Sequence, residues 1–399
     1  MNTNKFILNY LDRSESLFAK DIIENSSILS QNIIDKKILV IGGAGTIGSS
    51  YIKAILKFKP SKLVVVDLNE NGLTELVRDL RSTPEQFVPA DFYTYPLSFD
   101  SPAFVKLFKA HGHFQIVANF AAHKHVRSEK DIYSIEALLE NNILKAKGLL
   151  DLLLQYPPEH FFCVSTDKAA NPVNIMGASK KMMEELIFSY SNKFKVSTAR
   201  FANVAFSNGS LLEGFLNRIE KEQPLACPSD VKRFFVSPQE SGEICLLACI
   251  LGATSEIFFP KMDMENGSIN FADILPKLLE HFGYEPFICI SEEEAKSNMN
   301  LLKEKKYPIY LFNTDTSGEK LYEEFYTDDE YYELDKYNAL GVISKKAKYS
   351  IIDFNKIIED LKYLLLKEET AKPDIITWLK KYIPEFQHIE TGKKLDNKM

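Results

Sequence analysis

Short runs of β-branched and aromatic residues, apolar on both faces, recur between residues 37 and 205: KILVI (37–41), KLVVV (62–66), QIVAN (115–119), FFCVS (161–165) and VSTARF (196–201). Helical stretches separate them, so the pattern predicts an α/β fold, a doubly wound parallel sheet with helices on both faces and right-handed connections. Before it, residues 1–36 carry apolar residues in helix-like clusters (Phe6-Ile7-Leu8, Leu17-Phe18, Ile22-Ile23, Ile33-Ile34), interrupted by Asn25-Ser26-Ser27, which can cap a new helix. This predicts a helical extension that packs on the next domain or on a sister subunit. Beyond residue 205 the periodicity weakens. Isolated helices are predicted over 211–221, 239–252 and 271–283, alternating with extended pieces such as EIFF (256–259). These form a smaller C-terminal lobe over 206–350, with elements returning to the first domain. The acidic, tyrosine-rich run Tyr322–Asp335 reads as solvated surface. Amphipathic helices are predicted over 351–367 and 374–383, and a disordered tail over the last ten residues, ETGKKLDNKM. The expected division is 1–36, 37–205, 206–350 and 351–399.

Composition narrows the classes. With 399 residues, 45% of them hydrophobic and 26% charged, the chain is an ordinary globular one too long for a single small core. The net charge of -7 arises from 48 basic and 55 acidic residues mixed along the chain, with no basic block to follow a nucleic-acid backbone. The longest apolar run, Ile244–Ala253, falls well short of the ~20 residues that span a bilayer. No basic stretch with a following apolar run opens the chain, and the five cysteines (Cys163, Cys227, Cys245, Cys249, Cys289) form no paired pattern. A cytoplasmic protein with core thiols, no membrane contact and no nucleic-acid partner is expected.

Directly after the first predicted strand stands Gly42-Gly43-Ala44-Gly45-Thr46-Ile47-Gly48, followed by the helical stretch SSYIKAILKF. Glycines between a strand and a helix let the backbone turn tightly, meet a pyrophosphate without an intervening Cβ, and aim free helix N–H groups at phosphate. This is the phosphate turn of a Rossmann-type dinucleotide site. The next strand ends in Asp67, some twenty residues on, where a carboxylate bonds an adenosine ribose and disfavours a 2′-phosphate, so NAD is expected rather than NADP.

The fourth predicted strand runs into Ser165-Thr166-Asp167-Lys168-Ala169-Ala170-Asn171-Pro172 and then Asn174-Ile175-Met176-Gly177-Ala178-Ser179-Lys180. Carboxyl ends of strands line the ligand crevice in such sheets, which places a hydroxyl, a carboxylate and an ammonium together. Met176 and Lys180 are four apart and share a helix face. His111-Gly-His113 and His123-Lys-His125 have no cysteine or acidic ligand at a workable spacing, so no metal is expected.

With these motifs, the chain from about residue 37 to 326 resembles the extended short-chain dehydrogenase/reductases. Within them it resembles the polysaccharide-biosynthesis branch of UDP-N-acetylglucosamine 4,6-dehydratases. The resemblance rests on GGAGTIG, AAHKHV (121–126), Asn141-Asn142, STDKAANP, MGASK, RFANVAFSNGS (200–210), Arg233-Phe234-Phe235 and GEKLYEEF (318–325), with Thr316-Ser317 standing where relatives have Arg-Pro. Most of the superfamily carries Tyr-x-x-x-Lys. Met176 replaces the tyrosine, and methionine transfers no proton. The Met-bearing subgroup resembles dehydratases that retain the C5 configuration.

The resemblance implies a catalytic set of Thr166, Asp167, Lys168, Met176 and Lys180. Thr166 polarises the C4 oxygen, Asp167 is the acid for the departing C6 hydroxyl, Lys168 is the base at C5, and Lys180 holds the nicotinamide ribose. A tightly bound NAD, regenerated each turnover, would meet Gly42, Gly45, Thr46, Ile47, Gly48, Asp67, Ala121, Ala122, Lys124, Asn142 and Lys180. A nucleotide-sugar would meet Lys124, His125, Asn203, Ser207, Gly209, Ser210 and Arg233. The family also implies a homodimer or higher homo-oligomer, paired through helices flanking the crevice. A 4-epimerase or 4-keto reductase, and a non-catalytic NAD-binding protein, are the competing readings.

Overall fold

The computed structural model describes residues 1–262, 267–314 and 323–390. Three short helices, α1 (Thr3–Tyr10), α2 (Ala19–Glu24) and α3 (Ser26–Ile33), precede the first strand. Strands and helices then alternate: β1 (Lys37–Ile41), α4 (Thr46–Leu56), β2 (Lys62–Asp67), α5 (Glu70–Ser82), β3 (Asp91–Pro96), α6 (Pro102–His111) and β4 (Ile116–Asn119). After α7 (Ile132–Leu139), a π-helical turn over Glu140–Lys145 and α8 (Ala146–Gln155), the alternation resumes with β5 (His160–Val164), α9 (Ile175–Ser189) and β6 (Lys195–Ala199). The second half holds β7 (Asn203–Val204), α10 (Leu211–Glu220), β8 (Leu225–Pro228), β9 (Lys232–Arg233), β10 (Phe235–Val236), α11 (Pro238–Leu251), β11 (Glu256–Pro260) and β12 (Ile269–Asn270). It ends with α12 (Phe271–His281), β13 (Glu285–Cys289), α13 (Glu292–Ser297), β14 (Lys306–Phe312), β15 (Tyr332–Glu333), β16 (Leu340–Ser344), α14 (Ile351–Leu365) and α15 (Lys372–Tyr382).

One nine-stranded sheet organises the molecule, in the order β15-β16-β11-β6-β5-β4-β1-β2-β3. It is parallel from β3 through β11, then β16 pairs antiparallel to β11 and β15 antiparallel to β16. The order reverses between β1 and β4, which opens a crevice outside their carboxyl ends. Alternation along each strand builds two cores: Leu39, Ile41, Val64 and Val66 face one layer of helices, and Ile38, Val40, Leu63 and Val65 face the other. A three-stranded parallel sheet, β13-β14-β8, backs a third core with α10 and α12.

Two features differ from the expectations. β3 was absent from the predicted strands because DFYTYP, at the sheet edge, is half exposed and lacks a continuous apolar run. The run 322–335 is not wholly solvated surface: Glu323 and Phe325 are buried, and Glu330 pairs with the fully buried Arg200, whereas Tyr331–Asp335 is exposed. The tail expectation over 391–399, and the GEK motif with Thr316-Ser317, lie outside the described residues.

The N-terminal extension ties the lobes together. Ile7 enters the third core, Arg13 pairs with Glu240 at the start of α11 at 2.9 Å, and the Asp21 carboxylate accepts from the backbone N–H groups of Asn338 and Ala339. No helix among the described residues is long and apolar enough to cross a membrane.

Candidate active site

A cleft of about 290 Å³ lies at the carboxyl ends of β1, β2 and β4. Of the expected cofactor residues, Gly42, Gly45, Thr46, Ile47, Gly48, Asp67, Ala121, Ala122 and Lys124 line it. Gly42 has φ +76°, and a Cβ there would stand 2.5 Å from the Ala121 backbone nitrogen, so the turn closes against the β4 exit only with glycine. The Asp67 carboxylate anchors that turn: one oxygen accepts from Ala44 N and the other from Asn69 N, both at 2.9 Å. The Thr46 hydroxyl accepts from Asn208 N at 3.0 Å, bringing the glycine turn against the 203–210 segment.

Sequence reasoning missed further lining residues: Leu68, Leu97, Phe99, Phe120, Asn141 and Asn208. The apolar ones sit just beyond β2, β3 and β4, where a planar base could pack, and their residue types carry no chemical marker. Asn142 does not line the cleft. Its amide accepts from His123 N and donates to His123 O, both at 2.9 Å, and donates to the Ser179 hydroxyl at 3.0 Å, so it pins the 121–126 loop to α9.

Beyond β5 the chain turns sharply, with the Thr166 side chain accepting from Lys168 N. The Thr166 hydroxyl donates to Asp167 Oδ1 at 2.7 Å, and the Lys168 ammonium lies 3.1 Å from both Asp167 oxygens. Asp167 is buried and Lys168 half-buried. Lys180 donates to the Val164 carbonyl at 3.0 Å, directly behind this triplet, and burial holds its ammonium below the usual lysine range. Met176 is buried in the first turn of α9 and contributes to the core.

The expected substrate residues lie on the 124–125 loop, the 203–210 segment and the Arg233 strand, with Lys124 also lining the cleft. Burial and the neighbouring Lys124, Arg127 and His123 push the His125 imidazole below its ordinary pKa, and desolvation by surrounding protein atoms lowers Lys124 although its side chain reaches solvent. The His125 ring rests against Gly209, whose φ of +76° and missing Cβ admit it. Ser210 caps α10, and the Gly209 N–H is taken by the Glu213 carboxylate at 2.6 Å. Ser207 and Arg233 are buried, and Arg233 donates to the Lys232 carbonyl at 2.8 Å.

Asn203 donates at 2.6 Å to Glu323, a buried carboxyl that the sequence reading passed over. Its other oxygen accepts from Phe234 N at 2.6 Å. Its position inside an acidic run concealed it.

A family model for polysaccharide biosynthesis proteins matches residues 38–345. The chain is 31% identical over 357 residues to an uncharacterized membrane protein of Methanocaldococcus jannaschii, covering 83% of this chain and 97% of that protein. It is 28% identical over 366 residues to the capsular polysaccharide biosynthesis protein CapD of Staphylococcus aureus, covering 90% of this chain but only 56% of CapD. It is 28% identical over 236 residues to an inverting UDP-N-acetylglucosamine 4,6-dehydratase of Campylobacter jejuni, covering 57% of this chain and 67% of that enzyme. Among solved structures, Pen from Bacillus thuringiensis shares the fold with a TM-score of 0.63 at 23% identity, over 79% of this chain and 89% of that one. With the parallel sheet, the glycine turn and the matched 38–345 span in place, the chain belongs to the polysaccharide biosynthesis protein family of the extended short-chain dehydrogenase/reductases.

Proposed function

We propose that the chain is an NAD-dependent nucleotide-sugar 4,6-dehydratase that converts UDP-N-acetylglucosamine to UDP-2-acetamido-2,6-dideoxy-4-hexulose with C5 retained, for surface glycan synthesis. The broader class, a nucleotide-sugar dehydratase or epimerase, has the support of the family match and of the dehydratase relative. The finer reading rests on one observation: Thr166, Asp167 and Lys168 form a hydrogen-bonded triplet at the carboxyl end of β5, beside a methionine that can carry no proton.

A dinucleotide fits the cleft. The Cβ-free turn leaves room for a pyrophosphate, Asp67 would meet the ribose, and Leu97 and Phe99 offer an apolar wall to the adenine. When bound, NAD would supply the oxidant at C4 and return the same hydride to C6. The chain's own residues do the rest. Thr166 orients the C4 oxygen and relays its hydroxyl proton to solvent as the hydride leaves. Asp167 protonates the departing C6 hydroxyl, and Lys168 removes the C5 proton that a 4-ketone acidifies. The 3.1 Å contacts between the Lys168 ammonium and the Asp167 carboxylate support this division, because moving one proton from ammonium to carboxylate readies both. Lys180 braces the end of β5 from behind.

Mass spectrometry of the purified protein with UDP-N-acetylglucosamine and NAD is the test. The expected product is lighter by one water, without net NADH, and its C5 configuration follows from NMR. An isomer of unchanged mass would replace this reading with an epimerase. Silence across a panel of nucleotide-sugars would leave a binding protein.

A further inference from the structure

The reading above gives proton transfers to Asp167 and Lys168 and leaves a third ionisable group beside them unused. Glu323 is 3% exposed. Asn203 and Phe234 N–H each reach one of its oxygens, and no ion pair involves it among the described residues. Among the described residues, the charged groups whose fields reach it are Asp167 and Lys168 from the β5 exit and Arg233 from β9. One side chain therefore bonds both segments expected to hold the nucleotide and lies within electrostatic reach of the expected acid–base pair.

We propose that Glu323 works as a neutral, proton-carrying carboxyl that fixes the Asp167–Lys168 pair at one negative and one positive charge, and so allows Lys168 to act as a base. This inference rests on the dehydratase reading and deepens it. Two buried carboxylates around one ammonium would hold Lys168 as a cation, because each favours the charged amine. With Glu323 neutral, transfer of one proton breaks an N–H bond of Lys168 and forms an O–H bond on Asp167, and the site then holds an acid and a free amine. In the elimination the amine takes the C5 proton, Asp167 gives its proton to the C6 hydroxyl, and water leaves. The pair ends as ammonium and carboxylate, so the step balances without another reactant.

Burial and the adjacent Asp167 charge both push the Glu323 carboxyl above its ordinary range, while Lys168, the Phe234 N–H and Arg233 oppose them. A half-turn of the Asn203 amide would present its oxygen to a carboxyl hydroxyl, so the neutral form keeps its partners. A diphosphate at Arg233 would offset the nearby positive charge and strengthen the hold on the proton.

Glu323→Gln is a neutral isostere. Its amide oxygen can accept from Phe234 N, and the turned Asn203 amide can accept from its NH₂. Water loss from UDP-N-acetylglucosamine, measured against pH, should stay within a few-fold of wild type near neutrality. Its alkaline decline should move up by about one pH unit or more. Glu323→Asp, still ionisable, should keep the wild-type decline. A folded Glu323→Gln protein that loses most of its rate at neutral pH, or that keeps the wild-type profile, overturns the proposal. Isotope-edited infrared titration gives a second reading that needs neither turnover nor that variant. A protonated buried carboxyl should persist at neutral pH in wild type and lose its proton at lower pH in Asp167→Asn. Absence of that band in wild type would equally overturn it. A wild type inactive on every nucleotide-sugar would remove the dehydratase reading while leaving the infrared test of Glu323 intact.

Discussion

A Cβ at position 48 would stand 2.3 Å from the Gly42 carbonyl oxygen and 2.8 Å from the Gly43 Cα, both backbone atoms of the phosphate turn. No side-chain motion relieves that overlap, so Gly48→Ala must shift the turn itself. We expect at least a tenfold loss of NAD affinity by calorimetry, worth ~1.4 kcal/mol, and a lower melting temperature. Gly148→Ala is the contrast. Nothing lies within 4 Å of that position inside α8, so the change should leave NAD binding alone and stabilise the protein by ~0.5–1 kcal/mol. Equal effects from the two substitutions would refute the assignment of the turn. Gly42–Gly48 and Asp67 are legible in the sequence because strand, turn and helix follow each other closely and fix their own spacing. Phe99, Asn208 and Glu323 reach the site from far along the chain. Their residue types are common ones, and topology alone brings them there.

At the level of elements, α9 is buried along all fifteen residues, even at Lys180, Lys181, Glu184 and Glu185. Its outer face meets α14 and α15, which bring Ile357, Ile358, Leu361, Ile375, Trp378 and Leu379 into the core that holds Met182, Met183 and Leu186. The amphipathic period made α14 and α15 legible, but a period marks an apolar face without saying what covers it. The family expectation of pairing through flanking helices therefore meets an α9 face already occupied by this chain's own C-terminal helices. The chain after α15 then folds along the segment that links β5 to α9, where Gln387 N donates to Pro172 O at 3.2 Å and Ile389 N to Val173 O at 3.0 Å. Glu129 fastens the two. Its carboxylate accepts from Ile175 N at the start of α9 and meets His388 at 2.9 Å and Lys372 at 3.6 Å. Both Glu129 and His388 are nearly enclosed, so Glu129→Ala leaves a buried partner and a helix terminus without their acceptor. We expect a loss of ~3 kcal/mol in denaturant unfolding, with turnover reduced more than NAD affinity because the contact braces the proposed Thr166–Lys168 site and not the glycine turn. Unchanged unfolding would show that the strap adds nothing.

Across the whole molecule, Arg200, wholly buried on the exit of β6, binds the sheet to both α9 and the later chain. It meets Glu184 of α9 at 2.7 Å, Glu330 at 2.7 Å and the Phe325 carbonyl at 3.0 Å, while the Ser165 hydroxyl donates to Glu184 at 2.6 Å. This network makes stability depend on acidity. Although burial opposes it, Arg200 holds Glu184 down to about 2 from the ordinary 4.5, so its contribution is fully present above pH 4.5 and is lost as pH falls toward 2. His160 acts earlier. Burial, aided by the Lys195 charge, keeps it well below the usual 6.5, and its Nε2 meets the Ser197 hydroxyl at 2.8 Å. The unfolded chain takes up this proton near pH 6.5 and the folded chain does not, so stability begins to fall below that point. Melting temperature followed from pH 8 down to 3 should decline in two stages, the first near 6.5 and the second below 4.5. His160→Gln keeps a donor for Ser197 but cannot titrate. It should flatten the upper stage and leave the lower one in place, and an upper stage that survives in that variant would assign it to another group.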